Sequence, residues 1–430
     1  MRYQLLPRDF YINNRRKLAG MLKKNSVAIL HSNDEYPLNG DQCFPFRQNS
    51  DLFYMSGLDQ EKCVLVLCPD HPLESMREIV FTVKTSDLMV TWYGHKYSLK
   101  EVTEVSGVKT VKWLDEMDDI LRDLLVRSEY VYLNANENNR FTTEVPYRDL
   151  RFARKIRKEY PLHRFERLAP MLTELRICKQ KPEIEAMKKA CSITRDAFYR
   201  VLQNLRPGMK EYEVEAEITY EFIRQGASGH AYAPIVASGG GACILHYISN
   251  DQECKDGDLL LLDFGAEYAN YAADLSRTIP VNGKFNKRQR ACYEAVLRVM
   301  KKARTLIVPG TTIDKINAEV VKLMEKEMIG LGLFTKQDVK NQDASDPLYF
   351  RYYMHGNSHF IGLNVHDAGL KQTILKPGMV LSCEPGLYIK EEGIGIRIEN
   401  DILVSEKGPV DLMKDIPCEA DEIERLMKRK

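Results

Sequence analysis

The chain has 430 residues, more than one ordinary domain holds at roughly 150 residues each, so two or three domains are expected. Its 62 Lys and Arg nearly balance 61 Asp and Glu, and 44% of residues are apolar. That leaves ample core material but no electrostatic case for nucleic acid or an anionic membrane.

At the amino terminus, MRYQLLPRDFYINNRRKLAGML is charged throughout and lacks the apolar stretch of a signal peptide. No apolar run approaches the ~18 residues of a membrane span. The basic runs NNRRK and MKRK read as solvated ends. SVAIL (26–30), CVLVLC (63–68), EIVFTV (78–83) and EYVYLN (129–134) read as buried strands, while YINNRRKLAGMLKK and LDEMDDILRDLLVR have helical periodicity. The pattern predicts an α/β domain over residues 1–172. Beyond it, Pro182 suits the first turn of a long helix. Residues 173–430 read as α+β, long helices followed by hairpins.

This second part holds a weak internal repeat. LRPGMKEYEVEAEITYEF (205–222) is echoed by IVPGTTIDKINAEVVKLM (307–324), with Pro207 and Gly208 answering Pro309 and Gly310. Each copy leads to a hairpin carrying acids. In the first, LLLLDFGAEYANYAADLSRTIPV, a turn at Tyr268-Ala269 would set Asp263 opposite Asp274. In the second, VLSCEPGLYIKEEGIGIRIENDILV, a turn at Glu391-Glu392 would set Glu384 opposite Glu399. Opposed residues share a face with Cβ atoms roughly 4.5–5.5 Å apart. Two carboxylates that close repel unless a positive charge lies between them. Four acids and one imidazole suit two divalent ions. The oxygen-rich set without thiolate favours Mn²⁺, with Co²⁺, Zn²⁺ or Fe²⁺ as alternatives.

MHGNSHFIGLNVHD places His355, His359 and His366 within a dozen positions. Its glycines and asparagines make a poor helix, and Gly356 stands where a zinc protease of the H-E-x-x-H type has its Glu. One histidine as ligand and two as helpers is the economical reading. Glycine-rich ASGGGACILHY (237–247) lacks the spacing and lysine of a phosphate loop and reads as a flexible active-site wall. Arg397, two residues before Glu399, would share its strand face and steady a ligand carboxylate. Tyr388 is a candidate hydrogen-bond donor, with plain strand packing the alternative. Ten cysteines without a C-x-x-C pair read as free thiols in a reducing compartment, hence a cytoplasmic protein.

LLDFGAEYANYAADLSRTIPV, MHGNSHFIGLNVHDAG, CEPGLYI and GIGIRIENDILV together resemble the metallopeptidases of the pita-bread (creatinase/aminopeptidase-like) fold. FPFRQNSDLFYMSGL (44–58) further resembles the aminopeptidase P branch, which releases an N-terminal residue preceding proline. The resemblance spans nearly the whole chain. It implies metal ligands at Asp263, Asp274, His359, Glu384 and Glu399, with Asp274 and Glu399 bridging two ions and Glu384 carrying the proton of a metal-held hydroxide. It also implies a further active-site histidine at His246, donor roles for His246 and His366, and a pocket lined by His355. An aromatic near Trp92 would reach a neighbouring subunit's site, so a homo-oligomer, dimer or tetramer, is expected. The short Glu384–Glu399 connection instead suits a prolidase acting on Xaa-Pro dipeptides. A pita-bread protein that only binds peptides is a third reading, disfavoured by the intact ligand set.

Overall fold

The computed structural model describes residues 2–428, so Arg429 and Lys430 of the terminal MKRK run lie outside the described residues. It divides into two compact units: residues 5–176, and residues 2–4 together with 177–428. Among the described residues no helix is long and apolar enough to cross a membrane.

The amino-terminal unit is built on one six-stranded mixed sheet. Its strand order is Thr110–Trp113, Glu78–Thr82, Val64–Leu67, Ser26–His31, Tyr130–Leu133 and Arg164–Arg167. The central strands Ser26–His31 and Val64–Leu67 are buried at every position, which is why they read as unbroken apolar runs. The edge strands Thr110–Trp113 and Arg164–Arg167 are only partly covered. Their polar residues hid them from a search for apolar runs. NNRRK departs from expectation. Asn14 and Arg15 are buried on the helix Arg8–Met21. Arg15 donates to Glu78 at 3.0 Å and to the Met55 carbonyl at 2.8 Å, so a charge-rich string is tied into the fold rather than solvated.

In the second unit the helix Lys181–Asn204 starts with Pro182 in its first turn. The repeat is present in three dimensions. Gly208 and Gly310 take φ values of 90° and 88°, and the helices Glu211–Arg224 and Ile313–Gly330 follow at the same interval. The Gly208 and Gly310 amides donate at 2.9 Å to the carbonyls of Cys254 and Leu375.

Both acid-bearing hairpins form. The second has the expected register, with Gly386 paired to Arg397 and Cys383 to Asn400 on either side of a break that holds Glu384 and Glu399. The first differs from expectation. Its turn is centred one residue later, on Ala269 and Asn270 at φ 51° and 66°, so Asp263 pairs with Ser276 rather than Asp274. Asn tolerates that left-handed backbone, which explains the shift. Moving a turn by one residue slides the register by two, and side chains alternate with a period of two. Asp274 therefore stays on the face of Asp263 as its diagonal neighbour. The hairpins meet edge to edge, the Glu399 amide donating to the Ser276 carbonyl at 3.0 Å.

Candidate metal centre

The acids stand where strands end or break. Asp263 is the last residue but one of the strand Leu259–Phe264, Asp274 precedes Leu275–Pro280, and Glu399 precedes Asn400–Ser405. His359 comes from an irregular segment held by its amide on Ser382 Oγ at 3.0 Å. Asp274, His359 and Glu399 offer ligand atoms that all lie within 4.8 Å of one another. Asp274 faces two ways: Oδ2 lies 3.3 Å from His359 Nε2, while Oδ1 shares the Tyr232 hydroxyl with Asp263 Oδ1, at 2.5 and 2.6 Å. Glu384 Oε1 lies 3.6 Å from His359 Nε2 and accepts from Ser382 Oγ at 3.2 Å.

The residues fit a divalent cation. Glu399 Oε1 is buried without a hydrogen-bond partner, and one Tyr232 proton cannot satisfy two carboxylates at once. Burial pushes the carboxyls of Asp274 and Glu399 upward, and their acidic neighbours push further. Burial likewise takes Glu384 up to about 7, against the pull of His359. His359 is raised to about 9: burial opposes its charge, but its bond to Asp274 and the charge of Glu384 outweigh that. Such a concentration of buried negative charge calls for a counter-ion.

Arg397 binds the acids from behind. Nη2 donates to Asp263 Oδ2 at 2.6 Å, Nε to Ser276 Oγ at 2.9 Å and Nη1 to the Tyr388 hydroxyl at 2.8 Å. The Ser276 hydroxyl in turn donates to Glu399 Oε2 at 2.6 Å. Because arginine only donates, Tyr388 accepts from it and donates onward to His355 Nε2 at 2.8 Å, leaving His355 Nδ1–H for the Gly356 carbonyl at 2.9 Å. Tyr388 is thus a relay and not only a packing residue. Burial, then the Arg397 charge, lowers His355 to about 4, so its ring is neutral at ordinary pH. His366 stands edge-on to His359, ring centres 4.5 Å apart. His246 is exposed, close enough for its charge to bear on His355. Trp92 belongs to the other unit, on the helix Asp87–Tyr93, where it is 75% exposed.

Three site residues escaped the reading of the sequence. Ser276 was findable, since it lies opposite Asp263 once the turn is correctly centred. Tyr232 and Asp401 carried no signal. Tyr232 arrives from a separate segment, and Asp401 is a fully buried acid accepting from the Asp274 amide at 3.1 Å. The glycine-rich wall also departs from expectation. Residues 239–243 form a short 3₁₀ turn packed on the strand Ile394–Arg397, so close that a Cβ on Gly395 would come within 2.2 Å of the Ala242 carbonyl oxygen.

A two-unit chain whose second unit gathers acids and one histidine around a buried centre defines a metal-dependent hydrolase, and residues 185–406 match metallopeptidase family M24. The chain belongs to that family. Residues 11–132 match the aminopeptidase P N-terminal domain. A Xaa-Pro aminopeptidase of Haemophilus influenzae is 35% identical over 98% of both chains, as is one of Escherichia coli K12. A zinc-substituted E. coli aminopeptidase P, solved with product, superposes with a TM-score of 0.88 at 33% identity over 99% of each chain.

Proposed function

We propose that the protein removes the N-terminal residue from peptides with proline in second position. The orphaned Glu399 Oε1 within the Asp274–His359–Glu399 cluster carries this reading, together with full-length likeness to Xaa-Pro aminopeptidases. Asp263, Asp274, His359, Glu384 and Glu399 would hold two divalent ions, Mn²⁺ before Co²⁺, Zn²⁺ or Fe²⁺. The chemistry such ions supply when bound is Lewis acidity, which stabilises charge on a carbonyl oxygen and makes water more acidic.

The remaining work falls to side chains of this chain. Glu384 accepts a proton from the attacking water and returns it to the leaving proline nitrogen. His246 and His366 donate to the carbonyl oxygen or to the peptide. His355, both of whose nitrogens are engaged, lines the pocket rather than moving protons. Arg397 holds Asp263 aligned through its 2.6 Å bond.

We further read the protein as a cytoplasmic homo-oligomer in which Trp92 helps to close a neighbouring copy's pocket. The helix Asp87–Tyr93 buries none of its residues and exposes Leu88, Trp92 and Tyr93. Light scattering would report a dimer or tetramer, and Trp92→Ala would raise KM with metal content unchanged; a monomer with unaltered kinetics would sink this.

The deciding assay compares an Xaa-Pro-Yaa tripeptide with the matching Xaa-Pro dipeptide, using metal-stripped and Mn²⁺-loaded protein. Mn²⁺-dependent cleavage favouring the tripeptide is expected. A preference for the dipeptide would make it a prolidase, a reading the full-length relatives do not favour. Stoichiometric metal binding with no hydrolysis would make it a binding protein.

A further inference from the structure

The segment 238–252, which carries His246, runs from the 3₁₀ turn at 239–243 into irregular chain and is exposed at its tip, where Ile244, His246 and Ile248 face solvent. Such a loop should hold no side chain in a defined place. Yet it is tied down at both ends to a single buried carboxylate. Glu211 opens the helix Glu211–Arg224 and is fully buried. Its Oε1 accepts from the Ser238 amide and hydroxyl, both at 2.7 Å. Its Oε2 accepts from the Tyr247 hydroxyl at 2.8 Å and the Gln252 amide at 2.9 Å. Three of the four donors are neighbours of the loop's two ends, and the fourth, Tyr247, adjoins His246. One turn along the same helix, Glu215 accepts from Asn250 at 2.8 Å.

We propose that Glu211 is the positioning residue for His246: its carboxylate closes the loop and fixes the histidine over the metal centre. This rests on the reading of His246 as a substrate-side donor. The acceptor chemistry explains the residue type. Only an ionised carboxylate offers enough lone pairs for four donors, and charge-assisted bonds are about twice as strong as neutral ones. An amide in its place loses one acceptor oxygen and sets an NH₂ against the donors of Tyr247 and Gln252. Gly395 completes the bracket from the other side, where the Ala242 backbone rests directly on its Cα.

The test is a double-mutant cycle on the Mn²⁺-loaded protein with an Xaa-Pro-Yaa tripeptide. Glu211→Gln should lower kcat/KM about 10-fold or more, the scale of lost charge-assisted bonds, with metal content unchanged. In the His246→Ala background the same substitution should add almost nothing, because its effect runs through that ring. Multiplied losses, or wild-type kinetics in Glu211→Gln, would overturn the proposal. Tyr247→Phe, which removes one donor and keeps the ring, should give a smaller loss with the same non-additivity and serves should Glu211→Gln fold poorly. Hydrogen exchange of the 239–250 amides is read in parallel and needs no turnover. Faster exchange there in Glu211→Gln, with the rest unmoved, supports the clamp even if the peptide assay rejects the activity; unchanged exchange refutes it.

Discussion

Arg397 serves three partners with three nitrogens, and each partner leads to a different part of the site: Asp263 directly, Glu399 through Ser276, and His355 through Tyr388. It is 4% exposed; burial works against its charge, which Tyr388 and then the acids Asp263, Glu399 and Glu384 favour. Removing one partner of a buried ion pair leaves the other charge uncompensated, at a cost of about 3–5 kcal/mol. Arg397→Met should lose that much stability in urea titrations with EDTA present. Arg397→Lys should recover only part of it, because an ammonium cannot reach three fixed partners. Equal stability of all three proteins would show that the buried arginine contributes nothing to the fold through these three partners.

At the scale of elements, the first hairpin depends on one glycine. Gly265 lies where the strand Leu259–Phe264 gives way to Ala266–Tyr268, and a Cβ there would sit 1.7 Å from the Ala273 carbonyl oxygen. That is a backbone clash which no side-chain rotation relieves. Gly265→Ala should part Asp263 from Asp274, cost at least about 3 kcal/mol as overpacking does at its upper end, and lower bound metal measured by elemental analysis. Retained metal and stability would mean that the strands separate freely.

The helix Lys181–Asn204 holds a second element-scale feature near its start. Glu183 is 1% exposed, facing Lys179, Tyr271 and, beyond Lys179, Asp367. Burial pushes its carboxyl up to about 7, with Lys179 drawing it back. An unfolded glutamate titrates near ~4.3. Between those values the folded chain keeps a proton that the unfolded chain has released, so stability falls as pH rises through the window. Glu183→Gln should therefore gain on the wild type between pH 5 and pH 8, by about 1–3 kcal/mol. Denaturant titrations at both pH values check it, and parallel curves would refute it.

At the scale of the molecule, the metal centre lies wholly within residues 177–428. Ions that bind only the folded form stabilise it by mass action, about 2.7 kcal/mol at 100 times Kd. Calorimetry of the full chain should show one transition that moves with Mn²⁺ and EDTA and one, from the amino-terminal unit, that does not. A single transition that moves with Mn²⁺ would mean that the two units unfold as one.

Much of the protein was determined by its sequence alone. The central strands of the first unit, the Pro182 helix start, the repeated Pro-Gly helix entries and the register of the second hairpin all follow from period, turn chemistry and backbone preference, which act over a few neighbouring residues. Even the misplaced turn at 268–269 left Asp274 on the correct face, because strand parity survives a slide of two. Only the tertiary structure decided the rest. Tyr232 reaches two acids from 31 and 42 positions away, Arg15 finds Glu78 across 63, and Glu211 gathers donors up to 41 residues distant. In each case a polar group pays for its burial with partners that no local pattern announces, since desolvation and hydrogen bonding depend on what the fold brings near and not on what the chain places next.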